Sequence, residues 1–114
     1  MSAESEVIMN TNFLGPKRVT EALIDLIDSR IVNTSSGAAS MWLRNQDDDT
    51  KKLFSNPDVT FEEVASSVDA NVAAKNFRMG NGYGLSKAAL CALTLIQAKV
   101  SMDSCNPTSH KFFF

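Results

Sequence analysis

The chain has few cysteines, no long apolar run and no excess of basic residues. The 114 residues include two cysteines, Cys91 and Cys105, too few for a disulfide framework or a four-ligand zinc site. The longest apolar stretch, residues 88–96, is far shorter than the roughly 20 residues that cross a bilayer. We therefore expect a protein of the reduced cytoplasm without a structural metal, in which Cys91 is a small core residue.

The charge of the chain argues against two classes of partner. Eleven Lys and Arg against 13 Asp and Glu give a net charge of -2 and a pI of about 5.3. This balance offers no basic surface for nucleic acid or for anionic lipid, so we predict neither partner. The acidic first six residues lack the basic and apolar blocks of a signal peptide. The length predicts at most one domain.

A glycine-rich loop runs into an apolar helix that begins near Tyr83, the only tyrosine of the chain. Lys87 follows four residues later, so both side chains share one helix face. A neighbouring ammonium favours the phenolate form of a tyrosine, which lets the pair give or take a proton near neutral pH. The same spacing also arises by chance, so its meaning depends on the rest of the chain.

Residues 6–28 are predicted to form a helix that is broken at Gly15-Pro16. Proline has no N–H, and in an α-helix residue 16 would donate to the carbonyl of Asn12. A helix through Pro16 therefore leaves the Asn12 carbonyl without its usual partner. The alternative is that Pro16 starts a new helix and that Asn12 is a turn residue.

Residues 30–35 are predicted to form a short strand, followed by a small-residue loop over residues 36–40. In sheets covered by helices, chemistry gathers beyond the carboxyl ends of the strands, where Ser36 would lie. Its hydroxyl either binds a substrate carbonyl or satisfies local backbone in a turn.

Residues 41–80 carry local signals for further helices. The three acids that start at Asp47 are read as the cap of a short helix, in preference to a calcium loop. Thr60 and Glu63 form a capping box, which Val59 and Val64 would flank as a hydrophobic staple. The helix that follows carries an apolar stripe made of Val64, Val68 and Val72.

Three segments, NTNFLG (10–15), RIVNTSSG (30–37) and YGLSKAAL (83–90), occur in an order that resembles the short-chain dehydrogenase/reductase family. The likeness covers roughly residues 7–100 and implies an α/β fold, here an incomplete Rossmann-like (doubly wound) fragment, mostly helical with one strand. The serine and the tyrosine lie 83 − 36 = 47 positions apart. A helical insertion of this length, residues 41–80, resembles the carbonyl reductase branch, whose members are often monomeric.

The resemblance implies a reaction and a role for each matched residue. Tyr83 would give the proton to a carbonyl of a small-molecule substrate, and Lys87 would assist it while binding the ribose of NADPH, with NADH not excluded. Ser36 would orient the carbonyl, and the main-chain carbonyl of Asn12 would hold a water that relays protons to the lysine. The pocket walls would come from residues of the insertion, namely Met41, Trp42 and Met79, which otherwise are ordinary core residues.

The chain departs from the family in its cofactor half. The strand, glycine-rich turn and helix that bind the nucleotide do not precede residue 10, and residues 104–114 form a divergent tail. Since a single strand leaves its backbone groups and the helices around it incompletely covered, we predict that the chain alone is weakly folded and does not turn over substrate. The alternative is a non-enzymatic helical interaction module derived from the same fold.

Overall fold

Helix α6 (Tyr83–Asp103) is the longest element of the structure, and the other helices pack around it. The computed structural model describes residues 3–27, 30–77, 80–103 and 111–113, and the side chains of 4–27, 30–77 and 80–100. Six buried residues of α6 form the centre of the apolar core: Leu85, Ala88, Ala89, Leu90, Ala92 and Leu93. Burial of so many apolar side chains is the main driving force for this arrangement.

The elements before α6 are mostly helical, as the sequence predicts. They are α1 (Ala3–Met9), α2 (Gly15–Leu23), β1 (Arg30–Val32), α3 (Gly37–Arg44), α4 (Asp48–Ser55) and α5 (Phe61–Ala73). A three-residue strand, β2 (Lys111–Phe113), follows α6. None of the helices in the described ranges is long and apolar enough to cross a membrane.

Strand β1 pairs with β2 in parallel, with Arg30 opposite Lys111 and Val32 opposite Phe113. Strand β2 lies in the segment for which the sequence predicts only a divergent tail, most of which (104–110) is outside the described residues. Strand β1 is shorter than the predicted 30–35: beyond Val32, the Thr34 carbonyl accepts the Lys87 ammonium, and the side chains of residues 33 and 35 bond to side chains of α6. Two three-residue strands do not establish a doubly wound sheet, so the incomplete Rossmann-like fold remains a prediction.

The first helical region continues through the predicted break as a widened turn. Residues Asn10–Leu14 form a π-helical turn, in which the Gly15 N–H donates to the Asn10 carbonyl, and α2 begins directly after it. A Cβ on Gly15 would lie 2.9 Å from that carbonyl oxygen, so glycine permits the turn. Asn12 therefore lies in a π-helical turn, and α2 begins after that turn with Pro16 in its first turn, as the alternative predicts.

Residues 37–40, predicted to be a loop, form the first half of α3. Ser36 is the N-cap of this helix, and its Oγ accepts the Ala38 N–H at 3.2 Å. The loop prediction is wrong because capping and the burial of Ala39 and Trp42 against the core outweigh the flexibility of the small residues.

The helices of the predicted insertion form where the local signals place them. Asp47 caps α4 by accepting the Thr50 N–H, and this bond lowers the pKa of the Asp47 carboxyl. Thr60 and Glu63 form the predicted capping box at the start of α5. The apolar stripe of α5 (Val64, Val68 and Val72) is buried, as are the two staple residues Val59 and Val64. The predicted caps and the buried stripe are confirmed, while the contact between the two staple residues stays a prediction.

Candidate active site

Tyr83 and Lys87 lie in the first turns of α6. The turn before the helix needs glycine, because Gly80 and Gly82 adopt φ values of 71° and 96°. The Lys87 Nζ lies 5.7 Å from the centroid of the Tyr83 ring. Tyr83 is 44% exposed, so its phenol can meet a molecule from solvent while the lysine lies beside it.

Lys87 also ties α6 to the end of β1, since its ammonium donates to the Thr34 carbonyl at 2.9 Å. Two further bonds continue this connection along the helix. Ser35 Oγ lies 2.8 Å from Cys91 Sγ, and the Asn33 side-chain amide donates to Thr94 Oγ1 at 2.9 Å. The carboxyl end of β1 is thereby held against the helix face that carries the Tyr83–Lys87 pair.

Cys91 is only partly a core residue. Its thiol is half-buried and contacts the Ser35 hydroxyl, although the side chain also packs against the apolar core. The prediction of a plain core cysteine is thus incomplete, because α6 turns this position toward the polar end of β1.

Replacing Thr94 with valine is expected to lower the free energy of unfolding by about 1–3 kcal/mol. Valine keeps the shape of the side chain but removes the hydroxyl, which leaves the buried Asn33 amide without its acceptor. Urea unfolding followed by circular dichroism measures the loss. In a chain that already carries Asn33→Ala, the same substitution should cost clearly less. An equal cost in both backgrounds would contradict the role of this bond.

Ser36 lies at the start of α3, beside the start of α6. Its Oγ uses one lone pair to accept the Ala38 N–H, which leaves its O–H free to donate. Within the described part of the chain, no hydrogen bond joins Ser36 to Tyr83. The local capping role is therefore real, yet it does not use the hydrogen that a substrate carbonyl would need.

Gly84 allows the two helix starts to meet. A Cβ on Gly84 would lie 2.9 Å from the Ala38 carbonyl oxygen and 3.0 Å from the Trp42 Cβ. These are closer than ordinary van der Waals contact, so only glycine fits without a shift of α3. This contact places the first turn of α3, with Ser36 as its cap, against the first turn of α6, with Tyr83.

Replacing Gly84 with alanine is expected to destabilise the chain by about 1–3 kcal/mol, because the added methyl overpacks the contact between α3 and α6. Helix propensity alone would favour alanine by about 1 kcal/mol, so a net loss identifies the steric cause. Gly37→Ala is the matched control, since nothing lies within 4 Å of its added Cβ. Thermal unfolding of both variants gives the comparison; equal stability of the two would contradict the close approach.

Asn12 contacts α6 through Ser86. Its side-chain amide donates to Ser86 Oγ at 3.2 Å, and the Ser86 hydroxyl donates to the Tyr83 carbonyl at 2.7 Å. Ser86 is fully buried, so these bonds fix the first turn of α6 from the side of the core. No hydrogen bond of the Asn12 side chain reaches Lys87 in the described residues.

The main-chain carbonyl of Asn12 lies in the π turn before Pro16. Pro16 has no N–H, so it donates neither to residue 12, as in an α-helix, nor to residue 11, as in a π-helix. A water site at the Asn12 carbonyl stays a prediction.

An apolar pocket of about 150 Å³ adjoins Tyr83. Its walls include Met41 and Trp42, which the resemblance implies as pocket residues, although Trp42 is also a buried core residue, as the alternative has it. Met79 lies outside the described residues. Among the described residues, the lining is Ala38, Met41, Trp42, Phe77, Gly82, Tyr83, Gly84 and Leu85. Tyr83 is thus the polar side chain among the described lining residues, and the Lys87 ammonium lies beside its ring.

Three residues of the site escape sequence reasoning: Ser86, Thr34 and Phe77. Ser86 and Asn12 are 74 positions apart, and Thr34 acts through its carbonyl oxygen, which every residue type has. Phe77 precedes the glycine turn by several residues and becomes a wall only because that turn brings it beside Gly82. Only the proximity of Ser86 to Tyr83, three positions away, could have drawn attention to it.

Lys87 and Tyr83 fit one part of a nicotinamide cofactor. The ammonium has three donors, and the Thr34 carbonyl takes one of them, which leaves donors for the hydroxyls of a ribose. The residues that would hold phosphate groups are not among those described.

Comparison with known proteins gives one distant similarity. No family profile and no solved structure match the chain. Carbonyl reductase (NADPH) 1 of Rattus norvegicus is 28% identical over 105 residues, an alignment that covers 84% of this chain and 38% of that protein. The chain thus spans less than two fifths of its relative's length. Its similarity to a short-chain dehydrogenase/reductase is a distant one.

Proposed function

We propose that this chain carries the carbonyl-binding and proton-donating part of an NADPH-dependent oxidoreductase of the carbonyl reductase type, which reduces a ketone or aldehyde to an alcohol. One observation supports this most: the Tyr83–Lys87 pair opens α6 beside an apolar pocket, with Ser36 at the adjoining helix start. The distant similarity to rat carbonyl reductase agrees with it.

In this proposal the Tyr83 phenol donates its proton to the carbonyl oxygen as that oxygen gains charge. The Ser36 O–H donates a hydrogen bond to the same oxygen and stabilises the developing oxyanion. Lys87, which lies beside the Tyr83 ring, would bind the ribose hydroxyls of the cofactor. The bound nicotinamide supplies the hydride. The Asn12 carbonyl holds a water through which Lys87 and the phenol regain a proton.

Asn12 has a second, structural part in the proposal. Its side chain supports Ser86, which in turn bonds the Tyr83 carbonyl. These bonds fix the position of the Tyr83 backbone. This matters because a displacement of about 1 Å at a reacting group can lower the rate about 100-fold.

The test measures hydride transfer by the endogenous protein, which is tagged at its chromosomal locus and purified from the cells that express it. Incubation with an aryl ketone and NADPH deuterated at the transferable position of C4 should give an alcohol one mass unit heavier than the unlabelled product. Consumption of the cofactor without deuterium in the alcohol, or no turnover of any ketone or aldehyde, would contradict the proposal. We further propose that the 114 residues by themselves do not bind NADPH at micromolar concentration; tight binding measured by calorimetry would refute this part.

A second candidate function is a helical interaction module. It is favoured by large apolar side chains on the surface, of which the most exposed is Leu26 at 78%. The others outside the pocket are Val7, Val19, Leu23, Val32, Leu95 and Val100. The two functions separate experimentally. Tyr83→Phe should lower the rate of carbonyl reduction at least about 100-fold without changing the affinity for a protein partner. Leu26→Lys should weaken partner binding and leave the rate of reduction unchanged.

A further inference from the structure

Asn81 and Gly82 lie in the turn that precedes α6, and they are the only Asn-Gly pair of the chain. An asparagine side chain carries an amide carbon that the backbone nitrogen of the next residue can attack, which closes a five-membered ring. Glycine hinders this attack least, because it has no Cβ. Asn81 is therefore the most labile asparagine of the sequence, and no step of the proposed reaction uses its side chain.

The structure leaves the two reacting groups available. Asn81 lies outside helix and strand, where the backbone is more mobile than in a regular element. Among the described residues, no group accepts a hydrogen bond from the Gly82 N–H. A cleft of about 290 Å³, lined in part by Glu4, Lys75 and Gly80, adjoins Asn81. This space is large enough for several water molecules, and water is the reagent that opens the ring.

The fold requires glycine at position 82. Its φ of 96° lies in a region that residues with a Cβ rarely adopt. A Cβ at this position would also lie 2.9 Å from Phe77 Cε1 and 3.0 Å from Met9 Cε. The packing of the turn therefore keeps the reactive neighbour of Asn81 in place.

One contact opposes the reaction. The Asn81 side-chain amide donates to the Glu4 carboxylate at 2.6 Å, a bond that joins α1 to the turn across 77 positions. While this bond is in place, the amide is held by its nitrogen and cannot turn freely toward the Gly82 nitrogen. Because the bond is exposed to solvent, it opens locally. Glu4 therefore slows the reaction without preventing it.

We propose that Asn81 is a site of spontaneous deamidation and that its conversion separates α1 from the start of α6. The Gly82 nitrogen loses its proton and bonds to the side-chain amide carbon of Asn81, whose bond to nitrogen breaks and releases ammonia. Water then opens the resulting succinimide at either of its two carbonyl carbons, which gives aspartate or isoaspartate. The net reaction consumes one water and releases one ammonia, with no change of oxidation state.

The product carries a carboxylate where the amide donated to Glu4. Two ionised carboxylates at this distance repel each other, and neither has a hydrogen to donate. Isoaspartate also adds a methylene to the main chain, two residues before Tyr83. Both products therefore weaken the contact between α1 and the turn. This inference stands whether or not the chain is a reductase, because it concerns the turn alone.

The first experiment follows the amide itself. The chain is incubated at neutral pH and physiological temperature, and peptide mapping by mass spectrometry separates asparagine, aspartate and isoaspartate at each position. Asn81 should lose its amide at least tenfold faster than any other asparagine, with both products present. An Asn81 that converts no faster than the others would overturn the proposal.

Variants of α1 test the restraint by Glu4. Glu4→Ala removes the acceptor and should raise the rate of deamidation at Asn81 at least threefold. Glu6→Ala removes the same charge from an exposed position of the same helix; it is the matched control and should keep the wild-type rate. Equal rates in the two variants would show that the contact with Glu4 does not govern the reaction and would overturn its role.

Hydrogen exchange shows whether the product separates α1 from the turn. Asn81→Asp, which has the structure of one product, should raise the exchange rate of the α1 amides at least fivefold, while α5 exchanges as in the wild type. Adding Glu4→Gln restores a donor opposite the new carboxylate and should return α1 to the wild-type rate. Fast exchange in both proteins, or in neither, would overturn the proposed separation by charge repulsion.

Discussion

Replacing Tyr83 with phenylalanine is expected to lower the rate of carbonyl reduction by about 100- to 10,000-fold, the usual contribution of a positioned general acid. The substitution removes only the phenolic oxygen. Among the described residues, nothing hydrogen-bonds to that oxygen, and the ring itself remains at the pocket mouth. The loss would therefore come from the missing proton donor and not from a change of structure.

The measurement is kcat/KM of the natural protein together with its melting temperature. The melting temperature of Tyr83→Phe should correspond to a change in the free energy of unfolding of no more than about 0.5 kcal/mol, as for a neutral surface substitution. Ser66→Ala, which removes a hydroxyl from an exposed position of α5, is the matched control and should retain full activity. A Tyr83→Phe protein with the wild-type rate would exclude Tyr83 as the acid and remove the main support for the proposed reaction.

Replacing Trp42 with alanine is expected to lower the free energy of unfolding by about 3–5 kcal/mol, the largest structural effect that we predict. The side chain is 2% exposed and packs edge-on against Phe54. Alanine leaves a cavity between α3 and α4 and also orphans the Asn76 carbonyl that accepts the indole N–H. Since whole domains are stable by only about 5–15 kcal/mol, much of the chain should unfold in water.

Urea unfolding followed by far-ultraviolet circular dichroism measures this loss, because the variant has no tryptophan fluorescence. Trp42→Phe, which keeps an aromatic ring but loses the N–H, should cost less than Trp42→Ala. Leu26→Ala, at a position 78% exposed, should be close to neutral. A cost below about 1 kcal/mol for Trp42→Ala would mean that α3 is not packed into the core as described.

The features that the sequence predicts correctly depend on neighbours within about four positions. The caps at Asp47 and Thr60 need only a side chain within reach of the next N–H groups. The Tyr83–Lys87 pair follows from the helical repeat in the same way. Local geometry is identical in every helix, so a spacing is enough to predict these contacts.

The errors and omissions occur where distant segments compete for the same residues. Residues 37–40 look like a loop by composition but become helical because α3 buries Trp42 and fits against Gly84 of α6. Residues 33–35 look like strand but turn their polar groups to α6. In each case a contact over 40 or more positions changes what local preference would give.

By itself, the sequence determined that helices start after Asp47 and Thr60, that Tyr83 and Lys87 share a face, and that the pattern of the chain resembles that of a reductase. Only the tertiary structure decided that Asn12 supports Tyr83 through Ser86, that Phe77 lines the pocket, and that β1 ends after Val32. The physical reason is that a cap or a helix face is fixed by bonds along one short segment. A pocket, in contrast, is the space left between segments, and its shape exists only once α3 and α6 have packed together.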